Sequence, residues 1–67
     1  MSVAKVTEIT ASSPTSFEDA VKVGLSRAGK TLKNITGAWI SEQKVKVDGG
    51  VISAYLVTMR VTFLLED

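Results

Sequence analysis

The chain lacks two residue types that small proteins often use for stability and for chemistry, because it contains no cysteine and no histidine. Without cysteine no disulfide can supplement the core, and without either residue the usual sulfur and nitrogen ligands of zinc are missing. A bound metal would therefore be a hard, oxygen-liganded ion such as calcium or magnesium. The most common general base and the thiol nucleophile are missing as well, so the sequence favours a binding or structural protein over an enzyme.

An excess of one charge and long apolar runs are also missing. The formal net charge is +1, and both signs are scattered along the chain. This distribution does not form the basic patch of a nucleic-acid-binding protein. A membrane span needs about 20 consecutive apolar residues, and no segment approaches this length. Met1 to Val6 also lacks the basic region followed by an apolar run that is typical of a signal peptide. We therefore expect a cytoplasmic protein whose partners include neither nucleic acid nor membrane.

The length of 67 residues corresponds to a single domain over residues 1–67. A core of this size contributes little net stability, and small proteins usually add a disulfide, a metal or subunit contacts. With disulfides and zinc excluded, oligomerisation is the simplest remaining source of stability.

The stretch from Val51 to Leu65 predicts the central strand. Its odd positions, which a strand projects to one side, form a nearly unbroken apolar stripe. These positions are Val51, Ser53, Tyr55, Val57, Met59, Val61, Phe63 and Leu65. The even positions are also too apolar for a face that is simply exposed to solvent. We therefore expect both faces of this strand to be covered.

The first half of the chain predicts a strand followed by a helix. Val3 to Thr10 is rich in β-branched residues, as strands are. The segment Ser12 to Pro14 ends this strand, and either Thr15 or Ser16, each with a carboxylate three residues later, begins a helix. Apolar residues then recur at three- and four-residue steps as far as Leu32, which predicts an amphipathic helix of about four to five turns.

The second half predicts a long hairpin. Ala38 to Asp48 forms the second strand, although its apolar side changes after Ile40. Asp48, Gly49 and Gly50 tolerate the positive φ angles of a two-residue turn, which leads into the third strand. The predicted fold is α+β with the order β-α-β-β, a three-stranded antiparallel sheet curled around one helix.

One helix covers only one face of such a sheet. The odd stripe of the third strand, together with Ala38 and Ile40, is expected to pack on the helix. The opposite face mixes apolar and polar side chains, which is typical of a subunit contact or a ligand groove. Its predicted members are Trp39, Ser41, Gln43, Ile52, Ala54, Leu56, Thr58, Arg60, Thr62 and Leu64. Trp39, the only tryptophan, either stacks on a planar ligand or is buried between subunits.

Several segments resemble the dodecins, in the same order and over nearly the whole chain. These segments are Ser12-Ser13-Pro14-Thr15-Ser16-Phe17-Glu18, Ser26-Arg27-Ala28 with Thr31-Leu32, Ile40-Ser41-Glu42-Gln43, and Tyr55 with Val57, Val61-Thr62-Phe63 and Leu65-Glu66. The resemblance implies a hollow homododecamer that binds or stores flavin, either riboflavin or FMN. In that family, paired flavins lie between symmetry-related subunits, sandwiched by a Trp of strand two and hydrogen-bonded by a Gln of strand three.

Both flavin-contacting positions of the family carry other residues in this chain. The Trp position falls on Gly37 and the Gln position falls on Leu56. Trp39 is two residues further along the same face, about 7 Å away, where it either restores a stacking wall or fills the space of the flavin. Leu56 leaves one flavin hydrogen bond unmade, at a cost of roughly 1–3 kcal/mol. The candidate cofactor contacts are Gly37, Trp39, Gln43 and Leu56.

The same resemblance implies a calcium-binding alternative. Some dodecin-like proteins without the family Trp are calcium-binding, and the N-terminal Ser-Val-x-Lys-Val and Ser-Pro-Thr-Ser pattern is similar to that branch. The carboxylates available for calcium are Glu8, Asp19, Glu42, Asp48, Glu66 and Asp67. No loop has the alternating Asp/Asn spacing of a dedicated calcium site, so the metal ligands stay unassigned. A purely structural shell is the further alternative.

Overall fold

A computed structural model describes residues 2–66; Met1 and Asp67, the two ends of the expected domain, lie outside the described residues. The chain forms β1 (Ala4–Ser13), α1 (Phe17–Ala28), β2 (Ile35–Asp48) and β3 (Val51–Leu64). β3 is the central strand of the sheet, and it pairs antiparallel with β1 on one side and with β2 on the other. The predicted β-α-β-β order and the antiparallel sheet are therefore confirmed.

The start of the helix is tied to the end of β1 through hydroxyl groups. Ser16 is the N-cap, and its Oγ accepts a hydrogen bond from the Asp19 amide at 3.0 Å. The Asp19 carboxylate accepts from Ser13 Oγ at 2.6 Å, and this hydroxyl also accepts from the Thr15 amide at 3.0 Å. Ser13 is thereby satisfied although it is buried. These bonds fix the angle at which the helix leaves the sheet.

The helix ends four residues before Leu32, so the prediction of four to five turns is wrong. Its last residue is Ala28, with Gly29 as the C-cap. The next amides turn back on the last carbonyls, since Lys30 donates to Arg27 at 3.2 Å and Thr31 donates to Ala28 at 3.1 Å. Gly29 has a low helix propensity, which favours this tighter turn over another helical turn. Leu32 still reaches the core, but from the turn.

Both outer strands extend beyond their predicted ends. β1 pairs with β3 as far as Ser13, which lies opposite Tyr55, rather than ending at Thr10. β2 begins at Ile35, directly after Asn34, whose φ of 63° allows the sharp entry into the strand. Asparagine tolerates this left-handed conformation better than most residues. At the other end, positive φ angles at Gly49 and Gly50 form the predicted hairpin turn.

The core lies between the helix and the central strand. Val57, Met59 and Val61 of the odd stripe are fully buried, together with Ala20 of the helix. This confirms the prediction for the middle of the odd stripe, whereas Val51 and Leu65 at its two ends are exposed. Ala38 is exposed, contrary to expectation, because the helix packs mainly against β1 and β3 and leaves β2 at the far edge.

The subunit is more extended than a free monomer of its size. Its dimensions are 51 × 19 × 13 Å and its radius of gyration is 13.8 Å, against about 11 Å for a compact chain of this length. The accessible surface is 4836 Å², against about 4,100 Å² for a typical monomer of this mass. The excess arises because strands of 14 residues extend well beyond a helix of 12 residues.

Among residues 2–66, no element covers the far end of the hairpin. Its exposed apolar side chains are Val45, Val47, Val51 and Ile52. Within residues 2–66, no helix is long and apolar enough to cross a membrane.

Candidate functional site

The sheet face turned away from the helix, here called the outer face, carries a row of three large side chains that form the candidate site. Glu8 of β1 and Trp39 of β2 both lie directly opposite Arg60 of β3. Directly opposed residues in a sheet share a face and have Cβ atoms about 5 Å apart. The register therefore brings an acid, a base and an aromatic ring together across all three strands.

Arg60 contacts both of its neighbours in this row. Its guanidinium carbon lies 5.2 Å from the centre of the Trp39 ring, a cation–π geometry. Its Nε lies 3.6 Å from a Glu8 carboxylate oxygen, with both side chains at least half exposed. An exposed ion pair adds little stability, so its main effect is to limit where Arg60 can point. One face of the indole is thus occupied, while Trp39 remains 65% exposed.

The cross-strand rows on either side of Trp39 differ in their side chains. Gly37 lies opposite Thr62, and a Cβ added at Gly37 would meet no atom within 4 Å. That side of the indole is open space. On the other side, the hydroxyls of Thr10 and Thr58 lie 3.3 Å apart, and Glu42 faces Thr58 across the strands. Threonine hydroxyls therefore lie in the rows on both sides of Trp39, and the difference is the missing side chain at Gly37.

Leu56 lies on the outer face, half-buried, opposite Ser12 and Lys44. It is four residues from Arg60 along β3, which separates it from the Trp39 row by about 14 Å. One subunit therefore does not bring Trp39 and Leu56 together around a single ring system. A single ring system that contacts a Trp39 and a Leu56 would therefore have to take them from two different copies of the chain. The cofactor role of Leu56 stays a prediction.

Gln43 does not share a face with Trp39, and the interpretation that placed it there is wrong. The register of β2 shifts between Ile40 and Glu42, and a bulge at Ser41 leaves Gln43 opposite the buried Val57. Ser41 Oγ donates to the Thr58 carbonyl at 3.2 Å within the bulge. The extra residue reverses the alternation for the rest of the strand. This explains why the apolar side of the sequence changes after Ile40.

Carboxylates are dispersed over the described part of the chain. Residues 2–66 contain no group of three acidic side chains close enough to hold a metal ion together. Asp67 lies outside the described residues. The acidic side chains of residues 2–66 in a single subunit thus do not fit a calcium ion, and a calcium site would need ligands from more than one subunit or from backbone carbonyls.

A groove between β1 and the helix is a feature that the sequence did not reveal. It has a volume of about 480 Å³ and lies on the helix side of the sheet, away from Trp39. Ile9, Ala11, Val23 and Leu32 make it largely apolar, and Arg27 lies at its edge. The groove is formed by residues of a strand and of a helix together. Neither the strand period nor the helix period in the sequence therefore indicates it.

The chain is thus an elongated β-α-β-β protein with exposed apolar residues on its hairpin and an exposed tryptophan on its outer face. The Dodecin family model matches residues 3–66. The chain belongs to the dodecin family.

Named relatives include a calcium dodecin and a protein named simply dodecin. The chain is 36% identical over 66 residues to calcium dodecin of Mycobacterium tuberculosis, covering 98% of this chain and 93% of that protein. A structure of the same calcium dodecin, described as calcium-chelating with a novel calcium-binding site, has a TM-score of 0.83 at 35% identity, covering 96% and 91% of the two chains. A dodecin from Streptomyces davaonensis has a TM-score of 0.95 at 32% identity, covering 98% and 97%.

Proposed function

We propose that the chain assembles as a homododecameric shell that binds and stores a small planar ligand on the outer face, with flavin (FMN or riboflavin) as the first candidate. The observation that carries this proposal is Trp39, the only tryptophan, which is 65% exposed on an open part of the sheet. The proposed role is binding, because residues 2–66 do not supply an obvious nucleophile and base.

Three features of the subunit support self-assembly. It has a larger radius and a larger surface than a monomer of its mass, and its core contains only a few fully buried side chains. The apolar end of the hairpin is exposed, and no element in the described part of the chain covers it. Burial of such residues by copies of the same chain is the usual remedy for a small core. The number of twelve subunits is taken from the family, and the mass of the assembly in solution tests it.

The residues of the outer face fit a flavin only in part. Gly37, at the family's stacking position, offers no ring, and Leu56, at the family's hydrogen-bonding position, offers no polar group. Trp39 supplies a large aromatic surface close to the first of these positions, with open space beside it at Gly37. We therefore propose that stacking on Trp39 provides most of the affinity, and that the affinity is weaker than in a dodecin with both family residues.

A fluorescence titration tests the ligand. Riboflavin or FMN at fixed concentration is titrated with the protein, and stacking on Trp39 is expected to quench flavin emission. The Trp39→Leu variant, which keeps an apolar side chain but removes the ring, is expected to abolish the quenching. Unchanged flavin emission at a large excess of wild-type protein would rule out flavin as the ligand.

Calcium is the second candidate, and the similarity to calcium dodecin is the observation that favours it. Because residues 2–66 of one subunit lack an acidic cluster, we propose that such a site is shared between subunits. Calcium bound only by the assembled shell stabilises it by mass action. Melting temperatures measured with calcium, with magnesium and with a chelator test this candidate. Identical temperatures in all three would exclude it.

A further inference from the structure

We propose that Arg60 is a positioning residue of the outer-face site: anchored by Glu8, it covers one face of the Trp39 indole and leaves the opposite face for the ligand. This inference rests on the proposed function, in which Trp39 is the stacking surface. It adds a residue that the family resemblance does not point to. It also assigns a role to an ion pair that is too exposed to matter for stability.

The register of the sheet places Arg60 between Glu8 and Trp39. Arg60 lies on the central strand. Of the three residues in this row, it is the one with a cross-strand neighbour on both sides, Glu8 on one and Trp39 on the other. Arg60 contacts both neighbours. Its Nε lies 3.6 Å from a Glu8 carboxylate oxygen, and its guanidinium carbon lies 5.2 Å from the centre of the Trp39 ring. A guanidinium is planar, and it can stack on an aromatic ring while its edge faces a carboxylate. The side chain is therefore held from two directions.

Apart from Arg60, little in residues 2–66 restrains the Trp39 side chain. Its strand, β2, is at the edge of the sheet, and the ring is 65% exposed. The preceding residue on the same face is Gly37, which has no side chain and open space above it. An unrestrained indole would populate several rotamers and would lose that freedom on binding a ligand. Arg60 reduces this loss by holding the ring before the ligand arrives.

The geometry has a consequence for the ligand. With Arg60 on one face of the indole, a planar ligand stacks on the other face only. Each Trp39 then stacks on one face of the ligand. The other face of the ligand has to be covered by a second ligand or by another subunit. The site selects a flat aromatic ring system over a saturated small molecule of similar size.

The experiment combines two readouts on three variants. Arg60→Gln removes the cation, Arg60→Lys keeps the charge without the planar group, and Glu8→Gln removes the anchor while leaving Arg60 in place. The control is Lys22→Gln, which breaks the more exposed pair of Lys22 and Glu18 on the helix, 3.5 Å apart. The mass of each variant is compared with that of the wild type, so that a change in assembly is detected separately.

The first readout needs no ligand, because Trp39 is the only tryptophan. Arg60→Gln is expected to increase acrylamide quenching of the indole emission and to weaken the near-ultraviolet circular dichroism of the indole. Glu8→Gln is expected to change both signals in the same direction by a smaller amount. Lys22→Gln is expected to match the wild type. Unchanged indole signals in both Arg60→Gln and Glu8→Gln would overturn the inference.

The second readout is the dissociation constant for FMN. An exposed cation–π contact corresponds to about a two- to five-fold change in affinity, so Arg60→Gln is expected to weaken binding by this factor. Arg60→Lys is expected to be intermediate. If the indole signals change but the affinity does not, Arg60 has only a structural role and the inference is wrong. If wild-type protein binds no flavin, the flavin proposal fails, while the indole signals still decide whether Arg60 positions Trp39.

Discussion

Replacing Gly24 by alanine tests how closely the helix approaches the sheet. A Cβ at Gly24 would lie 2.5 Å from Met59 Cε and 2.9 Å from Ala11 Cβ. The methionine end is flexible, but Met59 is fully buried and has little room to move, and the alanine methyl cannot move without its strand. Overpacking of this kind costs about 1–3 kcal/mol, which outweighs the about 1 kcal/mol of improved helix propensity.

Gly29→Ala is the matched control for this substitution. Gly29 has a right-handed helical φ of −63°, and an added Cβ would come no closer than 3.4 Å to the Leu25 carbonyl oxygen. Alanine fits there and is expected to stabilise the folded protein by about 0.4–1 kcal/mol, because it reduces the conformational entropy of the unfolded chain. We expect Gly24→Ala to be less stable than the wild type by about 1 kcal/mol and Gly29→Ala to be more stable.

Urea denaturation at a fixed subunit concentration measures both effects, since the stability of an oligomer depends on concentration. The reasoning about close packing would be refuted if Gly24→Ala unfolded at the same urea concentration as Gly29→Ala.

Three further predictions address the cap, the core and the ligand. Ser16→Ala removes the N-cap oxygen and should cost about 1 kcal/mol by urea denaturation, whereas Thr15→Ala, which removes no cap, should cost less. Val57→Ala should cost about 2–3 kcal/mol, because two methyl groups leave a fully buried site; a cost near zero would contradict the packing. Leu56→Gln restores the family's hydrogen-bonding group and should tighten FMN binding about tenfold; an unchanged dissociation constant would separate Leu56 from the ligand.

The sheet was predictable because its signals are local. The period of two in β3 and the Gly49–Gly50 turn each specify a structure without help from distant residues, and both are confirmed. The end of the helix was missed for the opposite reason. Leu32 continues the apolar period beyond Ala28, but it reaches the core from a turn, and the pattern alone does not distinguish these two cases.

The candidate site was less predictable, because it depends on register. A single extra residue at Ser41 moves Gln43 to the other face, and no residue type in that segment marks a bulge. The pairing of Arg60 with both Glu8 and Trp39 likewise follows from how three strands align. Sequence alternation placed Trp39 and Arg60 on one face, but only the register shows that they are in contact.

The mass of the protein in solution is the measurement that tests the central claim most directly, because the outer-face site is proposed to work within a closed shell. Twelve subunits of 7.1 kDa predict a single species of about 85 kDa by light scattering at micromolar concentration. A monomer or a dimer at that concentration would contradict the proposed shell, and with it any ligand site shared between its subunits.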